Sequence, residues 1–300
     1  MSKALHDFIV TRKHHTYRRD FPEIENLAEQ YSADGLSPIE RMTRRFELLT
    51  SLEAPVLLPD EQICMMRTVK KIPDCFTETE WAEIKSRHFI HELGYMSNLS
   101  PNYADTIRVG LLARYEEADE YGKRMIDAIL SLTDRYRAEA EKQGKTKLAE
   151  VLSRVPRYGA TSFYEALQFF RILHYFLWLE GDYHNTTGRF DQYMYPYLKA
   201  DMDKGLYTKE TALAMVEDFF LSFNKDSDLY VGVQQGDNGQ SMVLGGRTAD
   251  GKDGFNLLSE LCLIASRNLM MRHSSESRLK PSLPSAVRPP STMLCPLSPC

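Results

Sequence analysis

The sequence predicts an α/β fold that is mostly helical. Three observations carry this. Several stretches repeat apolar residues at helical spacing behind N-cap residues. Strand-like runs are few and short. The 300 residues are 43% hydrophobic and 26% charged, the composition of a globular chain with room for a sizeable core.

The elements follow in order. Ser37-Pro38 ahead of Ile39, Met42, Phe46 and Leu49 reads as an N-capped amphipathic helix ending near Glu53. Ile63 to Val69 is a weak strand candidate. Thr77-Glu78-Thr79-Glu80, before Trp81, Ile84, His88 and His91, opens a helix with acids in its first turn, where the helix dipole favours them. Tyr103 to Gln143 reads as one long helix with Gly122 as its expected break. Thr161-Ser162 opens a helix through Phe163, Ala166, Leu167, Phe170, Leu173, Phe176 and Leu177. That helix is apolar on nearly every side and belongs in the deep core. Thr208-Lys209-Glu210 opens Leu213 to Phe223, and Asn256 to Leu269 is a further helix. Leu229 to Val233 and Ser241 to Leu244 are short strand candidates. Gly236-Asp237-Asn238-Gly239 between them tolerates positive φ, so a hairpin or strand–loop–strand is expected.

Charge and composition exclude several classes. Thirty-seven Lys and Arg against 42 Asp and Glu give a net −5 without a basic stripe, so nucleic acid is not an expected partner. The most apolar stretch, Phe169 to Leu179, is interrupted by Arg171 and His174 and falls short of the roughly 20 residues a bilayer requires, so no membrane partner is expected. Met1 to His15 lacks the apolar core of a secretory signal. Five scattered cysteines (Cys64, Cys75, Cys262, Cys295, Cys300), with no CxxC, point to a reducing compartment, and the cytoplasm is the expected location. From Arg272 to Cys300, seven Ser and six Pro crowd into 29 residues, against eight Pro in the preceding 271. That tail has no apolar periodicity and is expected to be disordered; its abrupt onset resembles a shifted reading frame. The expected organisation is therefore one folded unit over 1–271 and a low-complexity tail over 272–300.

Few residues read as chemistry. His88 and His91 sit at i, i+3, but no third zinc ligand is suitably spaced, so a helix face is the better reading and no metal site is assigned. His14-His15 belongs to a solvated basic stretch. Asp250 to Gly254 lacks the ligand alternation of a calcium loop and reads as a surface turn. Gly246 to Lys252 has P-loop spacing but is followed by Asp253 instead of Ser or Thr. Cys64 and Cys262 lie in apolar surroundings and read as inert buried thiols. The most unusual segment is Glu180 to Tyr193, which leaves an aromatic helix and crowds polar and hydroxyl groups together. Arg189 and Asp191 are expected to satisfy each other or tie down the loop. His184 and Asn185 are the residues expected to face a pocket.

That segment also resembles a family signature. Gly188-Arg189-Phe190-Asp191-Gln192-Tyr193-Met194-Tyr195-Pro196-Tyr197 resembles the GRxDQYxxPYY motif of the glycyl radical enzymes, the pyruvate formate-lyase-like family. Four further blocks match in the family's order: Leu58 to Ile63, Leu99 to Leu111, Thr161 to Gln168, and Gly239 to Gly246 continuing into Asp250 to Ser259. Arg189, Asp191 and Gln192 are thus identified as signature residues. The resemblance implies a ten-stranded α/β barrel in which a radical on a backbone glycine generates a thiyl radical on a mid-chain cysteine. The thiyl cleaves a C–C, C–O, C–N or C–S bond of a small-molecule substrate. An activase using S-adenosylmethionine and an iron–sulfur cluster installs the glycyl radical, and the intact enzyme is expected to be dimeric. Ser97-Asn98 stand where the family usually carries Gly-His, which makes Asn98 a third pocket candidate and leaves the substrate open. Neither the family's Gly-Cys-x-Glu loop nor its RVxGY loop occurs in these residues. The expectation is the N-terminal part of such a barrel, with no bound cofactor and no catalytic residue of its own, inactive alone. The alternative is a non-catalytic helical interaction protein derived from that fold.

Overall fold

Fifteen of the seventeen residues of α9 (Phe163–Leu179) are buried, and the fold is built around it. A computed structural model describes residues 2–87, 98–181, 184–226, 241–273 and 285–287. Ser162 caps α9 by accepting the Glu165 amide, as its sequence position suggests. Phe170, at the helix centre, stacks on Tyr103 at 4.1 Å and meets Phe190, Phe219 and Phe223 edge-on. Those rings come from α5, α10, α11 and the turn that follows α11, so this one side chain joins distant parts of the chain.

Before α9 come α1 (Lys3–Val10), α2 (Leu27–Ala33), α3 (Pro38–Leu52), α4 (Glu78–Arg87), α5 (Tyr103–Val109), α6 (Leu111–Glu117), α7 (Glu120–Lys142) and α8 (Thr146–Arg154). After it come α10 (Phe190–Asp203), α11 (Lys209–Ser222) and α12 (Leu257–His273). The helices expected at Ser37-Pro38, Thr161-Ser162 and Thr208 all form with those residues at their N-caps. The long helix expected over Tyr103 to Gln143 is instead three helices. Gly122 lies inside the first turn of α7, whose N-cap Asp119 accepts its amide. One break falls at Ala118-Asp119, between α6 and α7; the other falls at Gly110, where φ is +89° and a Cβ would sit 2.5 Å from the Arg157 carbonyl oxygen. Only glycine lets this corner turn and pack against the 157–158 backbone.

Four short strands are described: β1 (Asn98–Leu99), β2 (His184–Asn185), β3 (Ser241–Val243) and β4 (Ser285–Val287). β1 pairs with β2, and β3 with β4, both parallel. A parallel bridge from Gly188 to Met242 joins the two pairs. The two strand pairs therefore follow each other along the chain, linked by that bridge three residues beyond β2, with helices filling each crossover between paired strands, as parallel pairing demands. This is a mostly helical α/β arrangement with two short parallel strand pairs. β4 falls within the tail that composition marks as disordered; its three residues pair with β3, bounded by Pro284 and by Pro289-Pro290. Leu229 to Val233, the His88–His91 pair, Cys295 and Cys300 lie outside the described residues.

Ile63 to Val69 forms no strand, contrary to its apolar pattern. The segment is fully buried, and side chains take its amides. Ile63 N–H donates to Asp218, Cys64 to Gln168, Met66 to the Tyr136 hydroxyl, Arg67 to Asp226, and Thr68 and Val69 to Glu53. Met65 has φ +87°, which interrupts an extended run. Two of these acids carry ion pairs, Glu53 with Arg67 at 3.0 Å and Asp226 with Arg171, and the neighbouring Glu61 pairs with Lys225 at 2.5 Å. Buried backbone must find partners, and here acids on distant elements replace a neighbouring strand.

A smaller cluster of Leu27, Tyr31 and Cys75, with Phe76 and Met42 against it, adjoins the main core through Leu48, which packs on both. Above it, Glu80 of α4 is bonded to Arg41 of α3 at 2.9 Å. The Arg41 hydrogen bond, followed by that of the Thr77 amide, holds the Glu80 carboxyl at about 2, down from 4.5. An acid with a lower pKa in the folded chain stabilises it above its unfolded value and loses that contribution as pH falls. The stability difference between wild type and Glu80→Gln is therefore expected to be constant above pH 4.5 and to vanish towards pH 2, measured by urea titrations across that range.

Candidate functional site

The segment from Glu180 to Gly188 is held at both ends. At its start, two fully buried arginines cap the C-terminal carbonyls of α9. Arg67 donates to Trp178 O at 3.3 Å and Arg45 to Glu180 O at 2.9 Å. This satisfies groups that a helix end leaves open. At its far end, the Ser241 carbonyl receives three donors: the Thr187 amide at 2.8 Å, the Thr187 hydroxyl at 3.1 Å and the Thr186 hydroxyl at 2.8 Å. The Tyr193 hydroxyl donates back to Thr187 O at 2.6 Å. Burial pushes the Tyr193 phenol well above its usual value, so it remains a donor.

Between these anchors lies β2. Its register with β1 sets Asn98 opposite His184 and Leu99 opposite Asn185. Three pocket candidates from two distant segments thus meet in one strand pair. Asn185 is fully buried.

Arg189 and Asp191 do not pair with each other; each binds the loop after β3. Arg189 donates to Gly245 O at 2.7 Å and Arg247 O at 2.9 Å. Asp191 accepts the Gly245 amide at 2.6 Å and the Ser259 hydroxyl. Gln192 donates to Gly254 O at 2.7 Å. A Cβ on Gly254 would sit 3.1 Å from the Arg189 guanidinium, so the loop passes close beneath it. Asp250 to Gly254 closes an exposed hairpin turn, with Gly254 N–H bonded to Gly246 O and an Arg247–Asp253 bridge. That geometry accounts for the P-loop-like and calcium-like spacings without a ligand.

Sequence reasoning missed Thr186, Thr187, Ser259, Arg45 and Arg67 as members of this frame. One signal was available. Asn256 accepts the Leu258 and Ser259 amides while Ser259 accepts the Asn256 amide, a reciprocal cap that the Asn-x-x-Ser spacing announces. Among the described residues no group of three or more His, Cys, Asp or Glu is arranged to hold a metal ion. No described helix is long and apolar enough to cross a membrane.

The two blocks that Arg189, Asp191 and Gln192 tie together fall inside a match to the pyruvate formate lyase-like family model over residues 66–285. The chain belongs to this family. It is similar to the isethionate sulfite-lyase of Bilophila wadsworthia, 30% identical over 161 residues, which are 51% of this chain and 19% of that protein. It is also similar to the (2S)-3-sulfopropanediol dehydratase of Klebsiella oxytoca, 28% identical over 185 residues, 59% of this chain and 22% of that protein. A solved structure from Roseburia inulinivorans, described for 1,2-propanediol dehydration, superposes with a TM-score of 0.69 at 20% identity, covering 89% of this chain and 45% of the other. That likeness establishes the glycyl radical enzyme fold. The chain matches about a fifth of the length of those curated relatives and under half of the solved structure.

Proposed function

We propose that this chain supplies part of the substrate-binding shell of a glycyl radical lyase or dehydratase, one that cleaves a C–C, C–O, C–N or C–S bond. Family membership supports the reaction class, and the names of the sulfite-lyase and dehydratase relatives fall within it. The observation that carries the site is the β1–β2 register, which sets Asn98 opposite His184. Two polar residues on adjacent strands, with the frame behind them tied to Ser241 and Gly245, suit orientation of a small hydroxylated or anionic substrate. Fold alone does not choose among such substrates.

The chain's own residues do not fit the radical machinery. Cys64, Cys75 and Cys262 are buried, and burial pushes the Cys64 and Cys262 thiols up. Neither a Gly-Cys-x-Glu nor an RVxGY segment occurs in the sequence. No reaction step is therefore assigned to them. In the intact system, a radical S-adenosylmethionine activase would be the partner, a homodimer the assembly and the cytoplasm the location. By itself the chain binds and orients. Two measurements test this. Anaerobic incubation with such an activase should give no glycyl radical signal by electron paramagnetic resonance; a doublet would overturn the assignment. Ligand-observed NMR with isethionate and 1,2-propanediol should detect weak binding, on the order of millimolar, that His184→Ala or Asn98→Ala abolishes. Binding unchanged in both variants would remove the pocket.

A further inference from the structure

The two edges of β3 are occupied by very different parts of the chain. On one side lies the frame of the site: the Ser241 carbonyl accepts the Thr187 amide at 2.8 Å, and the Val243 amide donates to Gly188 O at 2.9 Å. Along an extended strand the backbone groups of successive residues point to opposite edges. The N–H and C=O of Met242 therefore face away from that frame. The strand on the far side is β4, parallel to β3, with Ser241 opposite Ser285, Met242 opposite Ala286 and Val243 opposite Val287. In this register a parallel ladder runs from the Met242 N–H to Ser285 O and from the Val287 N–H to Met242 O.

The sequence around β4 suits the outer edge of a sheet. Pro284 precedes it, and Arg288 and Pro289-Pro290 follow. Proline donates nothing to a ladder, and a short strand bracketed by proline and charge ends a sheet without inviting a further strand. β4 also belongs to a segment with no apolar periodicity, so main-chain pairing is what places it. Met242 is different. It is buried, and without β4 its N–H and C=O would have no strand to pair with.

We propose that the Met242 edge of β3 is an acceptor site for an extended peptide in parallel register, and that the tail fills it in cis as an exchangeable edge strand. Strand addition of this kind draws its affinity from main-chain hydrogen bonds. It does not depend on reading β1 and β2 as a pocket wall.

Hydrogen exchange of the full chain, resolved to single amides by NMR, tests this. Val287→Pro removes the tail donor to Met242 O. Ala286→Pro alters the neighbour whose N–H points away from β3, and serves as the control. The Met242 amide is expected to exchange at least about tenfold faster in Val287→Pro and within about threefold of wild type in Ala286→Pro, with α9 unchanged in both. A synthetic peptide spanning residues 283–290, at roughly millimolar concentration, should restore slow exchange at Met242 in Val287→Pro. The proposal is overturned if Met242 exchanges alike in the two variants, if α9 accelerates together with it, or if the peptide restores no protection.

Discussion

Replacing Arg171 with methionine is expected to cost about 3–5 kcal/mol of stability, the range for removing one partner of a buried ion pair. Arg171 and Asp226 are both essentially inaccessible to solvent. Arg171 also donates to Met65 O at 2.9 Å, so its loss strips a buried carbonyl as well. The Asp226 carboxylate would retain the Arg67 amide at 2.8 Å but have no counter-charge. The double variant Arg171→Met with Asp226→Leu should cost at least about 2 kcal/mol less than the sum of the single variants, since it leaves no orphaned charge. Urea denaturation of the four proteins measures this. A single-variant cost below about 1 kcal/mol would mean that solvent reaches the pair. The same substitution reports on His174, whose Nδ1 lies 3.4 Å from Arg171. Burial first and Arg171 second hold that imidazole well below its usual value. Removing the cation should raise its pKa, while burial keeps it below the ordinary range.

The second large effect is expected at Asp191. Asp191→Ala removes the acceptor for the Gly245 amide and the Ser259 hydroxyl, both inside the protein. Each charge-assisted hydrogen bond contributes roughly 1.5–3 kcal/mol, so a total loss of about 3–6 kcal/mol is expected. Gln192→Ala, which breaks one bond at a partly exposed site, should cost only about 1 kcal/mol. The two also separate by location. Asp191→Ala should speed hydrogen exchange over 241–247, because the loop after β3 hangs on that carboxylate, and Gln192→Ala should leave it slow. Equal costs would remove Asp191 as the anchor of the frame.

The contrast between these residues explains what the sequence makes legible. Ser37, Ser162 and Thr208 signal helix starts through bonds to amides three residues away, so the information is local. The break at Gly110 is not local: it is needed because the 157–158 backbone presses against it, whereas Gly122 looks equally suited to a break and has only its own helix turn to accommodate. Ile63 to Val69 carries the apolar pattern of a strand, but Glu53, Asp218 and Asp226 take the amides a neighbouring strand would have used. Arg189, Asp191 and Gln192 stand out as unusual in sequence. That they bind Gly245, Arg247, Ser259 and Gly254 emerges only when the chain is folded. The meeting of Asn98 with His184 is of the same kind, since nothing near either residue encodes the other.

The order of the strands sets a schedule for assembly. Among the described residues β1 pairs with β2 and β3 with β4, and all of α5 to α9 intervene between β1 and β2. Closing so long a loop costs entropy before any strand contact repays it. Helices, whose contacts are short-range, can pack first; the strand pair must wait. On a ribosome, Asn98 emerges long before His184 exists to receive it. The strand pair that carries both therefore cannot form until α5 to α9 have been made, and a chain halted before β2 would also lack Phe190, Phe219 and Phe223, the later rings that pack on α9.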